Sequence, residues 1–198
     1  MSSLRCFHLR NVFLRRNSCT SISSEKVIWP SSDINGKKTM RSAAVLVPLI
    51  DNLDEMSVLL TLRSASLPDH PGQVAFPGGK VEACDASPEE TALREAKEEV
   101  GLGRQSIDLL GRLNPHDTQT GFSVMPVVGV VNCLAEPVPD PREVDTIFEV
   151  PLPFICDHNQ FKRYDEKEES WTLQYGSYFV SGLTARILYE LSTVLRKK

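Results

Sequence analysis

Three observations predict an α/β domain. Residues 87–101 carry a helix signal capped at both ends. Short runs rich in β-branched and apolar residues lie before and after it, and a second amphipathic helix closes the chain at 184–195. Runs of this length suit strands, whereas the two longer segments repeat at helical period. No internal repeat interrupts the alternation, and 198 residues fit one domain.

Residues 1–24 hold Arg5, Arg10, Arg15 and Arg16, several serines and no acid. That composition suits a mitochondrial targeting segment, with a plain tail and a cytoplasmic protein as the alternative. Residues 25–40 are polar, broken by Trp29-Pro30 and Asn35-Gly36, and form a linker to a domain spanning 41–198. Ala43–Leu49 and Val58–Leu62 are strands of a hairpin around the polar 51–55. Val74–Phe76 is a brief strand entering the turn Pro77-Gly78-Gly79.

Ser87, Pro88 and Glu90 then open a helix as a capping box with proline at its first position. Gly101 ends it. Ile107–Leu113 alternates weakly, and Ser123–Val131 is a long apolar strand in which Pro126 implies an edge or a bulge. Three prolines make 136–142 a loop. Asp145–Val150 is a strand, a short helix opens at Pro151–Phe154, and Trp171–Val180 is a further strand. The last helix, Thr184–Leu195, buries Ile187, Leu188, Leu191, Val194 and Leu195.

Composition excludes several classes. A net charge of −4 argues against a general nucleic-acid binder. No apolar stretch reaches the roughly 18 residues of a membrane-crossing helix. Cys6, Cys19, Cys84, Cys133 and Cys156 form no CxxC pair, which argues against a structural zinc site or a disulfide framework. The chain ends Arg196-Lys197-Lys198, without a Ser-Lys-Leu peroxisomal tag.

Chemistry concentrates in the first helix. Glu95, Glu98 and Glu99 stand at i, i+3 and i+4 and share one face. With Leu93 as zero they point to about 200, 140 and 240 degrees, while Ala96 and Val100 stay within about 60 degrees of it. Like charges so spaced repel, and a divalent cation with a taste for oxygen, magnesium or manganese, would offset that. The glycine turn ahead of the helix lets a ligand approach the backbone. Loop and helix together suit holding metal ions against a phosphate.

The run Arg94-Glu95-Ala96-Lys97-Glu98-Glu99-Val100-Gly101-Leu102, preceded by Gly79 and the loop acid Asp85, resembles the signature of the Nudix hydrolases. It departs in having Asp85 where the signature has glutamate, and eight residues rather than seven before Arg94. Upstream, Leu59-Leu60-Thr61-Leu62-Arg63-Ser64 and His70-Pro71-Gly72-Gln73-Val74-Ala75-Phe76-Pro77-Gly78-Gly79 resemble the block that marks the coenzyme A diphosphatase branch. Pro68 stands where that block has an arginine.

The resemblance implies a Nudix α/β/α sandwich with a mixed central sheet. It also implies magnesium- or manganese-dependent cleavage of the diphosphate in coenzyme A or its thioesters. Metal ligation falls to Glu95 and Glu99, then Glu98, with the Gly79 carbonyl. Arg94 would hold a glutamate in place, and the general base would be Glu95 or Glu143. Arg63, Ser64, His70, Gly78 and Phe122 would face substrate, with Phe122 stacking on adenine. Arg63 is also readable as a strand-end ion pair, His70 as a cap on its loop, Glu143 as a surface carboxylate and Phe122 as a core ring. Another nucleoside diphosphate substrate, such as ADP-ribose, NADH or an RNA cap, is the alternative, and a non-catalytic binding module a more distant one.

Overall fold

The structure, a computed structural model, describes residues 40–52, 55–132, 134–165 and 170–196. The expected leader at 1–24 and nearly all of the linker lie outside them.

Strand β1 (Arg41–Asp51) turns back into β2 (Met56–Arg63), with Asp51 opposite Met56, so the expected hairpin is present. On its other side β1 runs parallel to β7 (Phe122–Val131), from Arg41↔Phe122 to Ile50↔Val131. Two short strands, β3 (Val74–Ala75) and β4 (Gly78–Lys80), pair with β2 and β1 respectively. Strands β5 (Ile107–Arg112) and β6 (His116–Asp117) pair antiparallel with β7, and β8 (Val144–Pro151) pairs with β2. The sheet is therefore mixed and eight-stranded.

Helix α1 (Pro88–Val100) covers one face of the sheet. Its Ala92, Leu93, Ala96 and Val100 pack on Ala44, Leu46, Leu59, Val127 and Val131. The other face, with Val47, Leu49, Val58, Leu60 and Val128, is covered by α3 (Gly182–Arg196) through Ile187, Leu188 and Leu191, and by Ile155 of the short α2 (Leu152–Cys156). Period-two strands between two helices with apolar stripes leave this arrangement as the one that buries every apolar face. The fold is an α/β/α sandwich, as expected.

Two details differ from the sequence reading. Pro126 sits inside the sheet, not at an edge or a bulge. It falls where β5 has ended at Arg112 and β6 begins at His116, so no ladder bond is asked of its nitrogen. Its carbonyl still accepts from the Leu113 N–H at 3.0 Å. The stretch read as one strand at 171–180 is two, β10 (Ser170–Tyr175) and β11 (Tyr178–Ser181). Gly176, at φ 56, reverses the chain between them.

With β9 (Phe161–Asp165) they form a second, antiparallel sheet beneath α3. There Trp171 stacks on Tyr189 with centroids 4.0 Å apart. A polar clamp fixes α3 from the opposite side. Glu190 takes one hydrogen bond from the Asn114 amide (2.7 Å) and another contact from His116 Nε2 (2.9 Å).

Leu188 is fully buried at the centre of the α3 interface. We expect Leu188→Ala to cost about 2–5 kcal/mol, read as a lower urea midpoint with an unchanged slope.

Candidate active site

The site is built on the start and end of α1. Ser87 Oγ accepts from the Glu90 N–H at 3.3 Å, and Glu90 returns a carboxylate to the Ala86 N–H at 2.7 Å. At the far end Gly101, at φ 70, closes the helix by donating to Lys97. The proline loop docks on that end, with the Val138 N–H on Val100 O (3.0 Å) and the Asp140 N–H on Glu99 O (2.9 Å). Three residues on, the Glu143 carbonyl accepts from the Ser64 N–H at 2.9 Å, which ties the loop to the end of β2. Helix, proline loop and the loop after β2 thus meet around Glu99.

The three glutamates, on one side of the helix but spread over about 100 degrees of the wheel, occupy different environments. Glu99 is 3% exposed, on the flank of the apolar stripe. The Glu98 side chain is 57% exposed, and that of Glu95 15%. Burial raises the proton affinity of Glu99, and the charges of Glu95 and Glu143 raise it further. Arg63 and the Gly78 backbone N–H act against this, yet the carboxyl is still pushed up to about 8.

The magnitudes explain why. The Arg63 guanidinium stands 4.0 Å from Glu99 Oε1. At that separation attraction is worth about 4 kcal/mol in a protein-like dielectric, and burying a charge costs several kcal/mol per ion. One guanidinium at that distance does not satisfy this carboxylate. Glu95 is raised too, again chiefly by burial, with Arg94 opposing.

Arg94 fixes the geometry. Its Nε and Nη2 donate to the two oxygens of Asp85 at 3.2 and 3.0 Å. Nη2 also reaches Lys80 O (3.0 Å), and Nη1 spans Glu95 (2.9 Å) and Glu98 (3.0 Å). Asp85 accepts in addition from Thr91 Oγ1 (3.0 Å) and the Glu82 N–H (2.9 Å). The hydrogen bond from Arg94, more than any other influence, holds the Asp85 carboxyl below its usual range. Gly79 lies against Glu95, where an added Cβ would sit 2.2 Å from Oε1, so a side chain there would expel the carboxylate.

Among the described residues no three acidic, histidine or cysteine side chains are already gathered into a metal-ligating group. Arg94 and Arg63 hold the carboxylates as they stand. The donor set nonetheless fits a divalent cation. It consists of hard oxygens, one of them on a deeply buried carboxylate that its nearest cation leaves under-compensated.

The structure brings together Arg63, Gly78, Gly79, Arg94, Glu95, Glu99 and Glu143. Others stand apart. Glu98 lies at the periphery on Arg94. The Ser64 hydroxyl, expected on substrate, is buried and bonded to Ser66 Oγ at 2.9 Å, because the chain turns sharply after β2. His70 is exposed, in a left-handed conformation (φ 56) that is unusual for a residue before proline. Phe122 is no core ring. Arg41 lies over it at 4.0 Å and Lys80 at 5.8 Å. Sequence reasoning missed Arg41, Lys80 and Thr91. Register Arg41↔Phe122 comes from a parallel pairing between distant segments, which leaves no local trace.

A family profile described as the NUDIX domain matches residues 40–172. The uncharacterized Nudix hydrolase NudL of Citrobacter koseri is 41% identical over 165 residues, covering 80% of this chain and 85% of that protein. Its counterpart in Cronobacter sakazakii is also 41% identical, over 163 residues, with 80% and 84% covered. The MutT protein of Methanosarcina mazei Go1 superposes with a TM-score of 0.54 at 20% identity, covering 82% of this chain and 99% of that one. This chain belongs to the Nudix hydrolase family, whose members generally use divalent metal ions.

The relatives correct one expectation. They are enterobacterial proteins, and bacteria have no mitochondria, so the mitochondrial address read into residues 1–24 is withdrawn. Arginine and serine without acids is a loose compositional signal that any basic tail can match. Among the described residues no helix is long and apolar enough to cross a membrane.

Two titrations follow, with opposite signs. Asp85 has a folded pKa below its ordinary 3.8. Its stabilisation is present above that value and is lost as pH falls through the folded pKa. Asp85→Asn should therefore lower the melting temperature at pH 7, and the gap from wild type should narrow below about pH 4. Glu99 is raised from 4.5 to about 8, so the metal-free fold loses stability as pH climbs through that window. In chelator at pH 8, Glu99→Gln should melt higher than wild type, and added magnesium should raise wild type only.

Proposed function

We propose that this chain hydrolyses the diphosphate bond of coenzyme A or its thioesters, with magnesium or manganese, to (acyl-)4′-phosphopantetheine and adenosine 3′,5′-bisphosphate. The observation that carries this reading is the place of Arg63. It belongs to the Leu-Leu-Thr-Leu-Arg-Ser block that resembles the coenzyme A branch, and its guanidinium stands 4.0 Å from the buried Glu99 of the signature helix. The two motifs converge on one centre. The catalytic unit in this reading is the 41–198 domain.

Each residue then has a task. Glu99 and Glu95 hold the cation, with the Gly79 carbonyl and with Glu98 at the rim. When bound, the ion neutralises diphosphate oxygens and supplies Lewis acidity toward water. Arg94 keeps Glu95 aimed while Asp85 keeps Arg94 in place. Gly78 keeps its N–H on Glu99, and its lack of a side chain makes room for Ala44 and Val45 of β1, where an added Cβ would sit 2.6 Å from the Ala44 carbonyl oxygen. Between the two candidate bases, Glu95 is occupied by Arg94 at 2.9 Å, whereas Glu143 is exposed and has no ion pair among the described residues. Glu143 is free to take the proton of the attacking water, and Glu95 serves the cation. Phe122, with Arg41 and Lys80 about it, offers a ring for adenine.

Pro68, where the related block carries arginine, favours a second reading, in which the substrate is another nucleoside diphosphate such as ADP-ribose. A product assay with coenzyme A, acyl-coenzyme A, ADP-ribose and NADH at one enzyme concentration decides. Coenzyme A or its thioester should be cleaved fastest, and faster turnover of ADP-ribose would overturn the substrate assignment. Glu95→Gln and Glu99→Gln should each abolish most turnover with the fold intact. Glu143→Gln should lower kcat by about 100- to 10,000-fold with little change in metal affinity.

A further inference from the structure

Arg63 has more bonding capacity than it uses. Its backbone is pinned to the neighbouring Gly72–Gln73, the N–H on Gln73 O (2.9 Å) and the carbonyl under the Gly72 N–H (3.2 Å). Its pairing with β8 shifts register at this residue, where β2 ends. A guanidinium carries five donors. Here Nη1 makes a 4.0 Å ion pair with Glu99, too long for a hydrogen bond, and Nη2 reaches Asp69 O at a marginal 3.5 Å. Nε is buried with no hydrogen-bond partner. A buried donor left unmade is costly, so this position is not the one in which the side chain is best satisfied. Within reach is a carboxylate that attracts it. Guanidinium is also the side-chain group best shaped to grip a phosphate with two parallel bonds.

We propose that Arg63 is a transferable counter-ion, which pairs with the ionised Glu99 carboxylate while no divalent ion is bound and turns to the substrate diphosphate once one is. The two positions exclude each other electrostatically. With a dication on Glu99 the guanidinium is repelled from that carboxylate, and the diphosphate oxygens offer it two parallel acceptors, which a guanidinium grips best. With Arg63 on the diphosphate, Glu99 is left without its cation and binds metal more tightly. Metal and diphosphate therefore bind with positive coupling, and by linkage each must strengthen the other equally. The enzyme would thus avoid gripping its substrate firmly before the ion is in place. This inference rests on the reading of Glu99 as a metal ligand. It adds that Arg63 acts at the scissile diphosphate rather than at a remote phosphate.

Calorimetry on the full chain tests it without turnover. At pH 9, where Glu99 is ionised, magnesium is titrated into wild type, Arg63→Gln and Arg63→Lys, and α,β-methylene-ADP into each with and without magnesium. Chelation of magnesium by the nucleotide is common to all three and cancels in the comparison. Wild type should show coupling of about 5- to 150-fold. Arg63→Gln should bind magnesium more tightly than wild type, bind the analogue more weakly, and show weaker coupling than wild type, because only the direct contact of ion with diphosphate remains. Arg63→Lys, which keeps the charge but not the fork, should bind magnesium nearly as wild type does and bind the analogue more weakly. Tighter magnesium with unchanged analogue affinity in Arg63→Gln would overturn the proposal, leaving Arg63 a fixed counter-ion. Weaker magnesium binding in a folded Arg63→Gln would overturn it as well. Absence of magnesium binding in wild type would bring down the metal reading of Glu99 along with it, so the two failures are distinguishable.

Discussion

Glu99 is tied by the pitch of α1 to the residue beside it, Val100, which belongs to the core. Whatever seats Val100, Ala96 and Leu93 on the sheet also carries the Glu99 carboxylate out of water. A core that packs α1 well therefore creates a charge problem at its flank. The rest of the site can be understood as arrangements around it. Gly78 supplies an N–H, Arg63 a distant cation, and the proline loop a second carboxylate that worsens the repulsion. Such a cluster is destabilising without a cation, and natural proteins retain strain of this kind where a ligand relieves it.

Arg94 solves a different problem, that of direction. A long side chain on an exposed turn would sample many rotamers, yet here it is locked by Asp85 across the loop and by the Lys80 carbonyl. Asp85 is itself held by Thr91 and by the Glu82 N–H. Loop 80–87 is thereby stitched to the first two turns of α1, and Glu95 inherits a fixed position against Gly79. The extra residue in this loop relative to the family signature does not prevent Asp85 from reaching Arg94. Aspartate, shorter than glutamate, meets the guanidinium with both oxygens.

Much of this was legible in the sequence, for physical reasons that can be named. Capping box, helical period and closing glycine are local signals, and α1 falls where they place it. The hairpin of β1 and β2 follows from two apolar runs and a polar turn. The order of burial, Glu99 then Glu95 then Glu98, follows their angles on the wheel, but how deeply Glu99 is buried was not legible, because a helical wheel gives direction but not what lies opposite. Only the folded chain shows that 136–143 lies over the end of α1 and that Arg63 faces Glu99 from β2. Similarly, Pro126 inside a sheet depends on the gap between β5 and β6, a matter of pairing among distant strands. The mitochondrial expectation rested on composition with no packing to constrain it, and relatives from bacteria overturned it.

The central claim is that the buried carboxylate of Glu99, beside Glu95 and Gly79, is a cation site. Manganese is both a suitable oxygen-seeking ion and a strong anomalous scatterer, so crystals of the protein grown with it locate the ion directly. The account predicts an anomalous peak within bonding distance of Glu99 and Glu95. A peak confined to exposed carboxylates such as Glu98, with Glu99 still facing Arg63, would contradict it.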